Sequence, residues 1–187
     1  MDQLQRLQLI EHQSRAFLEG DIENINDQWV FFDNETDEAT MLEHYVNQEI
    51  EVYYHHKWMK GKLEPNGRIL HKNETIFLLD KMKLRIRKQI VFSFDMLLDE
   101  LSDDIFFHFI NTLNSLEFSV YDCIFSHNHL SFLDSNDKKK GVNILIFDNG
   151  EVVLAVHHYF IRENTQQDRF EFTLSTGKRL IIDKMQK

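Results

Sequence analysis

The most constraining feature of this chain is a change of hydrophobic period near residue 90. Met82-Lys83-Leu84-Arg85-Ile86-Arg87 alternates strictly, so a strand there puts Met82, Leu84 and Ile86 on one face and Lys83, Arg85 and Arg87 on the other. Beyond it, Ile105, Phe106, Phe109, Ile110, Leu113 and Leu116 recur at helical spacing and give a wide apolar face that has to pack against something large. The reading is α+β, with a small SH3-like β-barrel over residues 1–90 followed by an α+β domain over 91–187, in which two helices pack on an antiparallel sheet.

In the first half, Leu4, Leu7 and Ile10 predict a short opening helix over 3–13. Strands are expected at 16–25, 28–32, 49–54, 58–63, 68–71, 75–79 and 82–88, with a short helix over 39–46. Small turns join them at Asn26-Asp27, Pro65-Asn66-Gly67 and Asp80-Lys81. Many short strands with small turns are what suggest the barrel. In the second half, Ser93 and Ser102 are expected to cap helices over 94–101 and 103–117. Asp148-Asn149-Gly150 predicts a hairpin with a type I′ turn between 142–147 and 151–161, and Ser175-Thr176-Gly177 predicts a second hairpin. Residues 118–133 stay open between strand, loop and helix, and 135–140 read as a polar loop.

One proline and six glycines leave no room for a flexible linker, so the two halves are expected to dock, with their junction as a possible contact surface. A single cysteine excludes an internal disulfide framework and suits a reducing compartment. No apolar stretch is long enough to cross a bilayer, and residues 1–8 are polar. The expectation is a cytoplasmic protein with no membrane role.

The net charge of −10 is unevenly spread: residues 1–56 carry −11, 57–88 carry +7 and the remainder −6. The basic block interleaves cations with aromatics, Tyr53 and Trp58 beside Lys60, Lys83, Arg85 and Arg87, as a ligand-binding surface would. Nucleic acid is one candidate partner, since cations suit phosphates and rings suit bases. The favoured reading is internal pairing, because Glu49 and Glu51 share a strand face that could lie beside Lys83, Arg85 and Arg87. That points to a protein or peptide partner.

Cys123, His127 and His129 form the second candidate site. Two histidines at i and i+2 on an extended segment point to one side, and the thiolate could add a third ligand for zinc. The bland alternative is a pair of loop histidines and a buried thiol. A Cys–His nucleophile built from Cys123 and His127, oriented by Asp122 or Asn128, lacks a recognised signature. His55 and His56 read as ordinary histidines at a strand end beside Trp58, His157 and His158 as strand histidines on alternate faces, and Ser175-Thr176-Gly177-Lys178 lacks the glycine spacing of a phosphate loop.

Four stretches, Trp29-Val30-Phe31-Phe32-Asp33, Leu101-Ser102-Asp103-Asp104, Tyr121-Asp122-Cys123 with His127-Asn128-His129-Leu130-Ser131-Phe132-Leu133, and Phe170-Glu171-Phe172-Thr173-Leu174, resemble a family of uncharacterised proteins from Gram-positive spore-forming bacteria. The resemblance runs nearly the whole chain. It implies a bacterial cytoplasmic protein and brings no activity, substrate, cofactor or catalytic residue with it.

The sequence therefore leads to a non-enzymatic binding or regulatory protein. The alternative is a metal-dependent enzyme or metal-stabilised domain using Cys123, His127 and His129. A homodimer is a third reading, should the apolar face of the second helix exceed what one sheet covers.

Overall fold

The alternating segments of the first half pair into one antiparallel sheet. In the computed structural model, which describes residues 3–133, 139–163 and 166–186, its strands are β1 (Phe17–Ile25), β2 (Gln28–Asp33), β3 (Ala39–Met41), β4 (Glu49–Tyr54), β5 (Lys57–Glu64), β6 (Arg68–His71), β7 (Glu74–Phe77) and β8 (Lys83–Arg87). Their order is β3-β2-β1-β8-β4-β5-β6-β7. The inward positions Ile22, Phe31, Ile50, Val52, Leu63, Ile69, Ile76, Leu84 and Ile86 merge into one buried cluster. Burying about nine such side chains at roughly 2 kcal/mol each is the main driving force of this half.

The expected small barrel, closed or partly closed, is corrected by this order to an open sheet. Its ends, β3 and β7, do not pair, so the sheet is open. It is nevertheless rolled. A flat sheet would hold β2 and β6 roughly 24 Å apart, yet a Cβ placed on Gly67, just before β6, would fall on the Trp29 indole of β2. Gly67 has φ +69, so the turn needs glycine both for its backbone and for that ring.

One other expectation for this half changes. Residues 39–46 form the short strand β3 and a single 3-10 turn (Leu42–Tyr45) rather than a helix, because Phe32, Phe31 and Val30 pair with Ala39, Thr40 and Met41. His55 and His56, at φ 48 and 62, make the two-residue turn between Tyr54 and Lys57. Histidine is one of the non-glycine residues that adopt this left-handed conformation more often than most.

The second unit comprises residues 1–15 and 89–187, whereas 16–88 form the first. The opening helix α1 (Gln3–Glu11), expected with the barrel, thus belongs with the helices of the other half. Arg6 is the reason. It donates to Asp103 and to the carbonyls of Leu98 and Leu101, joining the end of α2 (Phe92–Glu100) to the start of α3 (Asp103–Ser115). Its guanidinium also lies over the Phe106 ring at 4.7 Å. Arg15, at the exit, grips both oxygens of Asp122 at 2.7 and 2.6 Å.

Behind these helices stands a five-stranded antiparallel sheet of β9 (Cys123–His127), β10 (Lys139–Asp148), β11 (Val153–Arg162), β12 (Gln166–Leu174) and β13 (Arg179–Gln186), in the order β13-β12-β11-β10-β9. Phe94 and Phe109 meet Phe147, Phe170 and Phe172 in its core. The apolar face of α3 is covered in its own unit; of its large side chains only Phe107 is exposed.

Ser93 does not cap α2. Val91 holds that position and the Ser93 hydroxyl donates to the Ser126 carbonyl. Ser102 stands at the N-cap of α3, as expected, without a side-chain cap bond. The Asp148-Asn149-Gly150 hairpin exists, but its loop runs over four residues with positive φ at Gly150 alone. Asn149 Oδ1 accepts from the amides of Glu151 and Val152, which replaces the type I′ geometry. The polar loop expected at 135–140 lies outside the described residues except for its last two, which open β10.

Candidate functional site

On the outer face of the rolled sheet, register places Glu19, Arg85, Glu51 and Lys60 side by side across β1, β8, β4 and β5. The row alternates in sign. Arg85 pairs with Glu51 at 2.5 Å and with Glu19 at 3.8 Å, Lys60 with Glu49 at 2.8 Å, and Lys83 with Asp21 at 3.7 Å. Such cross-strand pairs stabilise a sheet by fractions of a kcal/mol each, about 0.2–1. Above the row, Arg85 lies 4.7 Å from the Trp58 ring and 4.4 Å from Phe17, and Arg87 lies 4.6 Å from Phe17. Tyr53 meets Trp58 edge-on at 5.3 Å and is 41% exposed. The structure thus gathers all six surface candidates on one face, with Lys60, Lys83 and Arg85 engaged by neighbouring acids.

The Cys123, His127 and His129 set does not converge. The β9–β10 register slips between Ile146 and Phe147, a bulge that pairs Cys123 with buried Phe147 while His127 pairs with Ile144. Cys123 is buried among the core side chains, and burial pushes its thiol up to about 12, far from a thiolate. His127 and His129 stack with ring centres 6.2 Å apart, and Phe132 continues the stack. Among the described residues, no three His, Cys, Asp or Glu side chains are grouped as a metal ion needs.

The polar centre that does form is one that strand alternation passed over. Asn143 lies directly opposite His158 across β10 and β11, and Asp168 stands diagonally beyond on β12. All three are buried. Leu130 N–H donates to Asn143 Oδ1, so Asn143 turns its amide NH₂ to His158 Nδ1 at 3.1 Å. His158 Nδ1 must then accept, which leaves its proton on Nε2, donated to Asp168 Oδ1 at 2.7 Å. Arg162 donates to the same oxygen at 2.5 Å and to the carbonyls of Ile161 and Gln167.

Burial holds the His158 imidazole below its ordinary value although Asp168 pulls the other way, so the ring is neutral. Burial alone would raise Asp168, but the bonds from His158 and Arg162 outweigh it and keep the carboxylate ionised. With both ring nitrogens engaged and Phe170 stacked on the ring at 4.1 Å, His158 has no free atom for a substrate proton. The network joins three strands and is not a triad. Next to it, burial raises Glu100, countered by the Asn128 amide, Lys139 and Arg162. The sequence signal of the network was positional: each member shares a strand face with core residues, Asn143 with Leu145 and Phe147, His158 with Val156 and Phe160, and Asp168 with Phe170 and Phe172.

Comparison with known proteins adds the lineage. The DUF2777 family, described as protein of unknown function, matches residues 4–184. The chain belongs to the DUF2777 family. The uncharacterized protein YisN of Bacillus subtilis (strain 168) is 29% identical over 180 residues, covering 96% of this chain and 91% of its own. No solved structure matches. The DUF2777 match takes in both units, so the charged row and the buried network each lie within the span that defines the family.

Proposed function

We propose that this DUF2777 protein is a non-enzymatic, cytoplasmic binding protein that recognises a protein partner through the outer face of the rolled sheet. The supporting observation is the row Glu19–Arg85–Glu51–Lys60: its cations are matched by acids of the same sheet, so little positive field remains for a polyanion. What the face offers instead is aromatic surface, Trp58 beneath the Arg85 guanidinium with Tyr53 edge-on to it, residue types that anchor protein interfaces. The saturated His158 network supports the non-catalytic half of the reading. The single buried thiol suits a reducing compartment. The contiguous run β1-β8-β4-β5-β6 supports an SH3-like relationship, opened by the extra strands β2, β3 and β7.

A photo-crosslinking residue in place of Tyr53, introduced in the native host, tests this. A discrete protein adduct that disappears when Trp58→Ala is added supports the reading. Adducts unchanged by Trp58→Ala, or tight salt-dependent binding of the purified protein to oligonucleotides, would overturn it.

A further inference from the structure

The buried network of the second unit does not end at Asn143. Leu130, whose N–H holds Asn143 Oδ1, lies two residues past Asn128, and Asn128 is itself only 1% exposed. Asparagine at the start of a helical turn ordinarily caps it through its side chain. Asn128 stands at the N-cap of the 3-10 turn His129–Phe132 and makes no such bond. Among the described residues, neither Oδ1 nor Nδ2 of its amide has a hydrogen-bond partner. Buried polar atoms are almost always satisfied by protein or by ordered water, so an amide unmatched at both ends calls for a bound molecule.

A second unmatched group lies beside it. Glu100 closes α2, where the carbonyl end of the helix repels a carboxylate, so the acid does not serve the helix. Its Oε2 is sealed from solvent and also lacks a partner among the described residues. The Asn128 amide lies near enough to draw the Glu100 carboxyl down against the effect of burial. Even so, no hydrogen bond joins the two side chains. Proximity without a bond is what a molecule held between two polar groups produces.

Charge restricts what that molecule is. Glu100 feels the cations Lys139 and Arg162, and Arg162 is bound to Asp168. Two acids and two cations balance, which favours neither a metal cation nor an anion. The molecule has to be neutral and small, accept from an amide N–H and donate to a carboxyl oxygen. Water meets each requirement.

We infer that buried water bridges Asn128 and Glu100: one molecule accepts from Asn128 Nδ2 and donates to Glu100 Oε2, and a second donates to Asn128 Oδ1. The bridge carries the polar network of β10, β11 and β12 on to the end of α2, so helix and sheet of this unit are joined through hydration as well as through apolar packing.

Nuclear magnetic resonance on the full, isotope-labelled chain tests it, together with a high-resolution crystal structure. The Asn128 side-chain NH₂ should show a dipolar cross-peak to water with the sign of a long-lived bound molecule, and density should lie within hydrogen-bond distance of both side chains. Glu100→Gln keeps an acceptor oxygen and should retain the cross-peak, whereas Glu100→Leu should abolish it. Thermal melts verify that each variant is folded; if Glu100→Leu does not fold, the parent chain and Glu100→Gln still decide. A direct Glu100–Asn128 bond with no density between them, no cross-peak in the parent chain, its loss in Glu100→Gln, or its survival in Glu100→Leu overturns the inference.

Discussion

His158 Nε2 donates to Asp168 Oδ1 at 2.7 Å in the interior of the five-stranded sheet, with both side chains buried. Arg162 shares the same carboxylate oxygen, so one acid neutralises a cation and satisfies an imidazole. A neutral ring, an ionised carboxylate and an arginine reach this balance only while the register of β10, β11 and β12 holds.

Removing Asp168 leaves Arg162 without its counter-charge and His158 Nε2–H without an acceptor. Asp168→Ala should therefore cost on the order of 3 kcal/mol, the usual penalty for breaking a buried charge pair from one side. Urea denaturation followed by circular dichroism measures it, and a midpoint equal to that of the parent chain would contradict the role given to this residue.

The pH dependence has a definite sign. His158 is held below its ordinary value of 6.5, so as pH falls under 6.5 the unfolded chain takes up a proton that the folded one refuses. Stability is then lost on acidification from 6.5 downward. Asp168, held below 3.8, adds a second loss at lower pH. Glu100 opposes both, because its raised carboxyl contributes stability below 4.5 that is lost as pH rises through its folded value. His158→Gln should flatten the slope just below pH 6.5, read from denaturation midpoints across a pH series.

Cys123 should be inert in the folded protein. Its thiol is buried and pushed up to about 12, so Ellman's reagent should label it only after denaturant is added. Above the ordinary value of 9.0 the unfolded thiol ionises first, so stability should fall with rising pH, and Cys123→Ala should remove that part of the fall.

Gly67→Ala tests the roll of the first sheet. The substitution puts a Cβ on the Trp29 indole at a backbone φ of +69. A cost of at least about 1 kcal/mol is expected from the conformation alone, with more from the displaced ring. A red shift of tryptophan emission in the folded state would report Trp29 moving into water.

Local pattern carried much of this architecture. The alternation at Met82–Arg87 named the inward Leu84 and Ile86 and the outward Arg85, and the capped run after Ser102 named α3 and its buried face. Pairing of the outer cations with acids was foreseeable from the same alternation, because Glu51 and Arg85 each occupy the outward parity of a neighbouring strand. Partner choice was less legible, since Glu49 went to Lys60 on β5 rather than to β8. The arrangement around Cys123, His127 and His129 was not legible, because β9 ends at His127 and a 3-10 turn begins at His129, which breaks the extended run that a shared face of the two histidines requires, while a bulge resets the register at Cys123.

What the sequence determined alone was therefore short-range: where strands and helices lie, which faces are apolar, and where the period changes. These follow from steric and hydrophobic rules acting over a few neighbouring residues. Tertiary structure alone decided that the sheet stays open between β3 and β7, that α1 joins α2 and α3 through Arg6, and that Asn143, His158 and Asp168 meet. Each depends on strand order, on register, or on one side chain reaching across some ninety residues of chain. No local period encodes such distances; they are set when the competing pairings are weighed against one another in the folded molecule.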